Sequence, residues 1–308
     1  MRSIDIDPQS PPRRVLILRL SALGDVLHCL PALEALRELW PVADFDWVSE
    51  SLAASLLEGH PDLRRVIPFP RKEMSRRLRR IGEWGRLGSE WRAFAGELRR
   101  ERYDLVIDFQ GNLRSTLVSR VSRYRRRVGH HPSEVKEHPW LLPPASPDRP
   151  AGRVHRVEKN LHLVGALGWQ GETPPGRLPD YATERRRLLS LPALEGAPPV
   201  ILHPFVSPFG RFKEWPSSAF AVLARCLADR GRRVLVTSEP GSRGSAERIV
   251  RLSGGAAAPA PETPTVRDLA ALLSLAAAVV AADTGPLHVA ALSRVPAFGL
   301  YGPKDPAV

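Results

Sequence analysis

Cysteine is scarce in this chain of 308 residues. Cys29 and Cys226 stand far apart and without metal-type spacing, so neither a disulfide framework nor a zinc site is indicated. Long apolar runs are missing as well. No stretch approaches the roughly 18 to 20 uninterrupted apolar residues of a membrane span, and Met1 to Pro12 is polar and partly acidic, with no basic segment leading into an apolar one. The chain is therefore expected in the cytosol, with any membrane contact at the surface. Acidic side chains fall short too: 33 Asp plus Glu face 45 Lys plus Arg, for a formal charge of +12. Such an excess calls for an anionic partner, whether nucleic acid, phosphorylated lipid or sugar nucleotide, and does not choose among them. An Arg-rich, Lys-poor, Ala- and Pro-rich composition is also what a coding bias leaves behind.

What is present fits a folded, two-domain protein. The 43% of hydrophobic residues can fill two ordinary cores, and the length favours two domains of about 150 residues each. Arg14 to Leu20 is a near-continuous apolar run suited to a buried parallel strand. A turn at Ser21 to Asp25 follows, then apolar residues at helical spacing from Val26 to Leu39, with Pro31 kinking this helix or starting its main segment. Strands are predicted at 44–48, 66–69 and 104–108, a short helix at 52–57, and a strongly basic helical stretch at 71–102. This alternation argues for an α/β domain with a parallel sheet. Helical patterning resumes over 155–167, between two Pro-rich stretches, and the domain boundary is placed at the second of these, giving domains 1–178 and 179–308. The second half repeats the plan. Strands are predicted at 200–203, 233–237, 277–281 and 297–301, and helices at 218–230, 245–252, 266–275 and 286–292. Two doubly wound domains facing across a cleft follow, with ligands beyond the carboxyl ends of the strands. Ser21 to Asp25 and Asp283 to His288 both fall at such ends. The second of these, a strand running into Asp-Thr-Gly-Pro and an apolar helix, is a seat for an anion at a helix start.

Four segments carry a family resemblance: RLSALGDVLHCLPAL (19–33), HPFVSPFGRFKEWP (203–216), ADTGPLHVAAL (282–292) and FGLYGPKDP (298–306). In this order and spacing they resemble glycosyltransferase family 9, the bacterial heptosyltransferases of lipopolysaccharide core synthesis. DFDWVSE (44–50), YDLVIDFQG (103–111) and VEKNLHLVGALG (157–168) are most similar to its heptosyltransferase I branch. The resemblance covers nearly the whole chain. It implies the GT-B glycosyltransferase architecture of two Rossmann-like domains, with the acceptor on 1–178 and the nucleotide-sugar on 179–308. It also implies an inverting transfer, without metal or other cofactor, of heptose from ADP-L-glycero-β-D-manno-heptose to a Kdo sugar of Kdo2-lipid A. An anionic, lipid-borne acceptor places the enzyme at the cytoplasmic surface of the inner membrane. Asp44 and Asp46 have DxD spacing, but a strand accounts for them. Another nucleotide-sugar or surface glycan within the same family is the alternative. Nucleic acid is not the expected partner, since the chain lacks a DNA- or RNA-reading motif. Family members run on for several tens of residues beyond the point matching Val308, with a terminal helix crossing back to the first domain, and interdomain closure is expected to depend on that helix.

Site residues follow from the resemblance, each beside a plainer reading. Asp25 matches the catalytic aspartate that deprotonates the acceptor hydroxyl; read alone, it caps a helix. Ser21 and Gly24 shape the turn presenting it, glycine permitting close approach. Lys213 matches the lysine on the donor diphosphate, offsetting charge on the leaving group; alone, it is a solvated lysine before a helix. Asp283, Thr284, Gly285 and His288 match the donor segment. Thr284 and Gly285 would bond phosphate, while Asp283 would take sugar hydroxyls or orient His288; alone, they form a capped helix. Ser238 and Glu247 lie where a ribose would sit, although a first-turn glutamate also suits a helix dipole. Arg71, Lys72, Arg76 and Arg77, with Arg79 and Arg80, would meet the anionic acceptor. Together with Trp84 and Trp91 they suit an anionic membrane surface, and Arg123 and Arg125 to Arg127 would extend it. A solvated helix face is the plainer account of such a run.

Overall fold

The computed structural model describes residues 4, 6–7, 9–78, 81–135, 145–152, 154–206, 212–238 and 244–302, with the side chains of 72, 77, 78, 81 and 245 left out. The chain divides into two compact units, Met1–Pro179 and Asp180–Ala307, with Val308 grouped with the first. Arg79 and Arg80, and the side chains of Lys72 and Arg77, lie outside the described residues.

The first unit contains β1 (Arg14–Leu18), α1 (Leu23–Leu27), α2 (Leu30–Leu39), β2 (Asp44–Glu50), α3 (Ser51–Leu57), β3 (Arg65–Phe69), α4 (Arg71–Leu78), α5 (Trp84–Arg99), β4 (Arg102–Asp108), α6 (Leu113–Val121), β5 (Arg123–Gly129) and α7 (Arg156–Ala166). Its five strands are all parallel, in the order β3-β2-β1-β4-β5. The sequence explains the centre: Val15 to Leu18 are fully buried, as an apolar strand covered on both faces must be. Pro31 sits in the first turn of α2, where a missing N–H costs nothing, so it starts the helix and does not kink it.

The basic stretch 71–102 is α4, a 3-10 turn and α5, with Arg102 already in β4. Its two tryptophans part ways. Trp84 is exposed, whereas Trp91 packs against the core and lies 5.8 Å from Phe94, ring to ring, so it does not share a surface with Trp84. Arg123 to Arg127 form most of edge strand β5. Arg123, Arg125 and Arg126 are exposed, a common way of protecting a sheet edge. Arg127 instead points inward and pairs with Asp108 at 2.7 Å, so it leaves the proposed basic surface.

Asp44 and Asp46 are strand residues. Asp44 is exposed, whereas Asp46 is fully buried, bonding to Arg64 at 2.7 and 3.0 Å, to Arg65 at 2.8 and 3.1 Å, and to the Tyr103 hydroxyl at 2.8 Å. Burial alone would raise its pKa. The bonds from Arg64, Arg65 and Tyr103 outweigh it and hold the carboxyl below its ordinary value. This cluster ties β2 to β3 and β4.

The second unit contains α8 (Ala182–Leu189), β6 (Val200–His203), α9 (Ser217–Ala228), β7 (Val234–Val236), α10 (Gly244–Leu252), β8 (Ala258–Pro259), α11 (Val266–Ser274), β9 (Ala278–Ala282), α12 (Gly285–Leu292) and β10 (Ala297–Leu300). Its strands are parallel in the order β10-β9-β6-β7-β8. In both units the first strand is flanked by the second and the fourth, the doubly wound plan. The chain reverses its winding between β1 and β4 and between β6 and β9, and crevices for ligands open at the carboxyl ends of those pairs. None of the described helices is long and apolar enough to cross a membrane.

Candidate active site

In the first unit, the loops leaving β1 and β4 are stitched together. Arg19 Nη1 donates to the Phe109 carbonyl at 2.5 Å, and Gln110 Oε1 accepts from the Leu20 and Ser21 amides at 3.0 and 3.3 Å. Below them, Asp108 organises the β4 loop. One oxygen accepts from the Gln110 and Gly111 amides, and the other from the Ser115 hydroxyl and Arg127. Gly111 has φ +65°, and a Cβ there would lie 3.0 Å from a Val135 methyl, so a left-handed turn and a close approach both require glycine.

Asp25 is the third residue of α1. Its Oδ2 accepts a long bond from the Ala22 amide, at 3.4 Å, half of a capping arrangement. Shorter contacts come from arginines: Arg19 Nη2 to Oδ2 at 2.7 Å and Arg156 Nη1 to Oδ1 at 2.6 Å. Ser21 is half-buried in the preceding loop. Gly24 corrects the sequence reading: it lies inside α1 and is not among the glycines with positive φ, so it is not the pivot of a tight turn.

Asp25 faces a cavity of about 530 Å³. Among the described residues, its wall carries four cations, Arg19, Arg149, Arg156 and Lys159, and two carboxylates, Asp25 and Glu134. Glu134 takes Arg149 at 2.7 Å and Lys159 at 3.3 Å, and the Lys159 ammonium also donates to its carbonyl at 2.9 Å. Burial lowers the Lys159 pKa against the pull of Glu134. His130, buried in the wall, is pushed down to about 3, first by burial and then by the charges of Lys159 and Arg19. It is neutral at any ordinary pH. The cavity is therefore polar, with a cation surplus suited to an anionic ligand. Neither Arg71 nor Arg76 lines it. Arg71 donates to both Glu50 oxygens, at 3.0 and 3.2 Å, and Arg76 is exposed on α4. The wall residues Arg156, Lys159 and Asn160 lie in and beside VEKNLHLVGALG, yet sequence reasoning gave them no role. No periodicity distinguishes a first-turn helix arginine aimed at a carboxylate from a solvated one.

In the second unit, Lys213 reaches from the segment after β6 to the end of β9. Its ammonium donates to the Asp283 carbonyl at 2.9 Å and pairs with the Asp283 carboxylate. The other carboxylate oxygen is 3.7 Å from His288 Nε2. Asp283 thus joins the two residues expected to meet the donor, and its contact with Lys213 was not foreseen. Thr284 is the residue before α12. Its hydroxyl donates to the Ala282 carbonyl at 3.1 Å and does not cap the helix, so the start of α12 at Gly285 and Pro286 has no side-chain cap. Tyr301 stands close enough for the Asp283 charge, after burial, to raise its pKa. A Cβ on Gly302 would sit 3.3 Å from the Phe212 carbonyl, which explains a glycine beside the lysine loop. Ser238 is half-buried just past β7, and Glu247 is exposed in the first turn of α10. His203, at the end of β6, is buried against the Thr237 hydroxyl at 2.8 Å, and burial pushes its pKa down to about 4. Among the described residues, no group of three or more His, Cys, Asp or Glu side chains is placed to hold a metal ion.

Residues 91–308 match the family model of glycosyltransferase family 9 (heptosyltransferase). The chain is 34% identical over 306 residues to lipopolysaccharide heptosyltransferase 1 of Pseudomonas aeruginosa, spanning 95% of this chain and 79% of that protein. It is 33% identical over 299 residues to the Escherichia coli K12 protein of the same name, spanning 96% and 89%. Among solved structures, E. coli heptosyltransferase WaaC with ADP-2-deoxy-2-fluoro heptose is similar at a TM-score of 0.77 and 29% identity, over 95% of this chain and 90% of that one. The two parallel-sheet α/β units are those of a GT-B glycosyltransferase. With a family model matched over most of its length and relatives at one-third identity, the chain belongs to glycosyltransferase family 9.

Proposed function

We propose that this glycosyltransferase moves heptose from ADP-L-glycero-β-D-manno-heptose to a Kdo residue of Kdo2-lipid A, with inversion and without a metal ion. The unit 1–178 takes the acceptor and the unit 179–308 the donor. The observation that carries this reading is Asp25, a carboxylate in the first turn of α1, beyond the end of β1, on a cavity whose described wall residues carry more cations than anions. A Kdo sugar brings a carboxylate, and lipid A brings phosphates, to such a wall. Asp25 accepts the proton as the acceptor oxygen attacks the anomeric carbon. The bond from that carbon to the diphosphate oxygen breaks, its electron pair leaves with ADP, and a single displacement inverts the configuration. Lys213 offsets the charge that develops on the leaving diphosphate. Thr284 and Gly285, at the uncapped start of α12, bond its oxygens. Asp283 holds Lys213 and His288 in place, and Ser238 and Glu247 serve the ribose. Ser21, in the loop before α1, and Gly24, within α1 next to Asp25, face the acceptor. Arg71, Lys72, Arg76 and Arg77, with the exposed Trp84, suit an anionic bilayer surface at the cytoplasmic face of the inner membrane.

Mass spectrometry of Kdo2-lipid A incubated with the protein and ADP-heptose tests the reaction, with addition of one heptosyl unit as the expected result. Absence of that product, alongside transfer from a UDP- or GDP-sugar, would overturn the donor assignment.

A further inference from the structure

The two arginines on Asp25 are not equivalent. Arg19 is 12% exposed and anchored elsewhere, since its second guanidinium nitrogen donates to the Phe109 carbonyl. Arg156 is 55% exposed and, among the described residues, its guanidinium is held by Asp25 alone. It is also the first residue of α7, where a cation has the wrong sign for the helix dipole. The other cations of the wall that Asp25 does not hold, Arg149 and Lys159, are already taken by Glu134. Among the described residues of the wall, Arg156 is thus the releasable cation, and it covers Oδ1, the oxygen that Arg19 leaves open.

Resting on the proposed reaction, we infer that Arg156 determines acceptor specificity: a carboxylate or phosphate beside the reacting hydroxyl draws its guanidinium off Asp25 Oδ1, which anchors the acceptor and uncovers the base. Arg19 stays on Oδ2 and keeps the carboxylate oriented. The acceptor hydroxyl proton then passes to Oδ1 as the new glycosidic bond forms and ADP departs. A neutral acceptor has nothing to exchange for Asp25, so Arg156 remains on the base. A bidentate guanidinium pair is the natural receptor for either oxyanion.

The test compares wild type, Arg156→Ala and Arg156→Lys with ADP-heptose and two soluble acceptors: the deacylated carbohydrate of Kdo2-lipid A, and the same molecule with its Kdo carboxylates converted to methyl esters. Wild type is expected to prefer the free acid by about tenfold to a hundredfold in kcat/KM, the equivalent of one charge-assisted bond. In Arg156→Ala, the KM for the acid rises, turnover of the ester is retained or increased, and the preference falls to near unity. Arg156→Lys restores part of it. The KM for ADP-heptose stays at the wild-type value in both variants, which also confirms that they fold. A preference kept intact in Arg156→Ala overturns the inference. So does loss of both acceptors with donor binding intact, because Arg156 would then support the base and not uncover it. Wild type that turns over neither acceptor overturns the reaction assigned above and this inference with it.

Discussion

Asp25→Asn separates chemistry from architecture. Asparagine keeps the shape of the side chain and removes both the negative charge and the capacity to take a proton. Loss of a positioned general base lowers turnover by about 10² to 10⁴. A smaller structural effect accompanies it. Arg19, 12% exposed and with its Nε buried and unbonded, would face a neutral amide 2.7 Å away. Breaking a fully buried pair costs about 3 to 5 kcal/mol, and an exposed one about 0 to 1. Asp25 is 23% exposed and Arg156 more than half, so roughly 1 to 3 kcal/mol of stability is expected to go. Urea denaturation reads that term, steady-state kinetics with ADP-heptose and Kdo2-lipid A read the turnover, and calorimetric titration of ADP reads the donor side, which should not change. A variant retaining more than about a tenth of wild-type turnover under conditions where it is fully folded refutes the base assignment. A variant whose ADP affinity collapses along with its turnover refutes the separation of roles.

Lys213→Ala is expected to lower kcat/KM by about 10² to 10³ and to weaken ADP binding in calorimetry; unchanged ADP affinity would remove Lys213 from the diphosphate. Asp46→Asn strands Arg64 and Arg65 and should destabilise the first unit by about 3 kcal/mol in chemical denaturation, the low end for a buried pair because both arginines are partly exposed. With its folded pKa depressed, the Asp46 contribution is present above the unfolded carboxylate value of about 4 and is lost as pH falls through the folded one, so the variant should show the shallower acid limb. His130 and His203 work in the opposite charge sense. Burial keeps both neutral in the fold, down to about 3 and about 4, while the unfolded chain protonates them near 6.5. Each is therefore expected to remove stability as pH drops below about 6.5, by about 1.4 kcal/mol per pH unit. His203→Gln should reduce that slope by one proton, and an unchanged slope would show that His203 is solvated.

Much of the fold was legible because it rests on burial. Val15 to Leu18, Leu105 to Ile107 and Ile201 to Leu202 are short, branched apolar runs bounded by turn residues, which suits strands covered on both faces. β5 was not legible for the converse reason. RYRRRVG reads as a charge run because an edge strand keeps one border in water, and only its pairing with β4 identifies it. α8 was hidden in a polar segment that buries Leu188 and little else. At the site, Asp25, Lys213 and the Asp283 to His288 segment were found through motif resemblance, whereas their partners were not. The Lys213 to Asp283 contact joins residues 70 apart, and the Arg156 to Asp25 contact joins helices α7 and α1. Spacing along a chain carries no information about such pairs.

The charge of +12 invited a search for one basic surface, but many of the arginines are committed to buried carboxylates and to backbone carbonyls. Arg64 and Arg65 surround Asp46, Arg127 meets Asp108, Arg187 meets Asp268, and Arg37 serves the carbonyls of Pro41, Ala43 and Asp62. An arginine committed to a buried carboxylate contributes nothing to long-range attraction, because its partner cancels it at short distance. Recognition of an anion in the Asp25 cavity must therefore come from wall cations whose present partners can be exchanged. In the first unit Arg156 meets that condition and Arg19 does not, a distinction set by exposure and by second anchors and not by charge. The same criterion applies to Lys213. It is largely buried and tied to Asp283 through both a carboxylate and a carbonyl, so a diphosphate would have to share it with Asp283 and could not simply capture it. Donor affinity should accordingly depend on Asp283 as well as on Lys213, and Asp283→Asn, by removing the charge that competes with the diphosphate for the ammonium, should tighten ADP binding in calorimetry even as it loosens the lysine for catalysis.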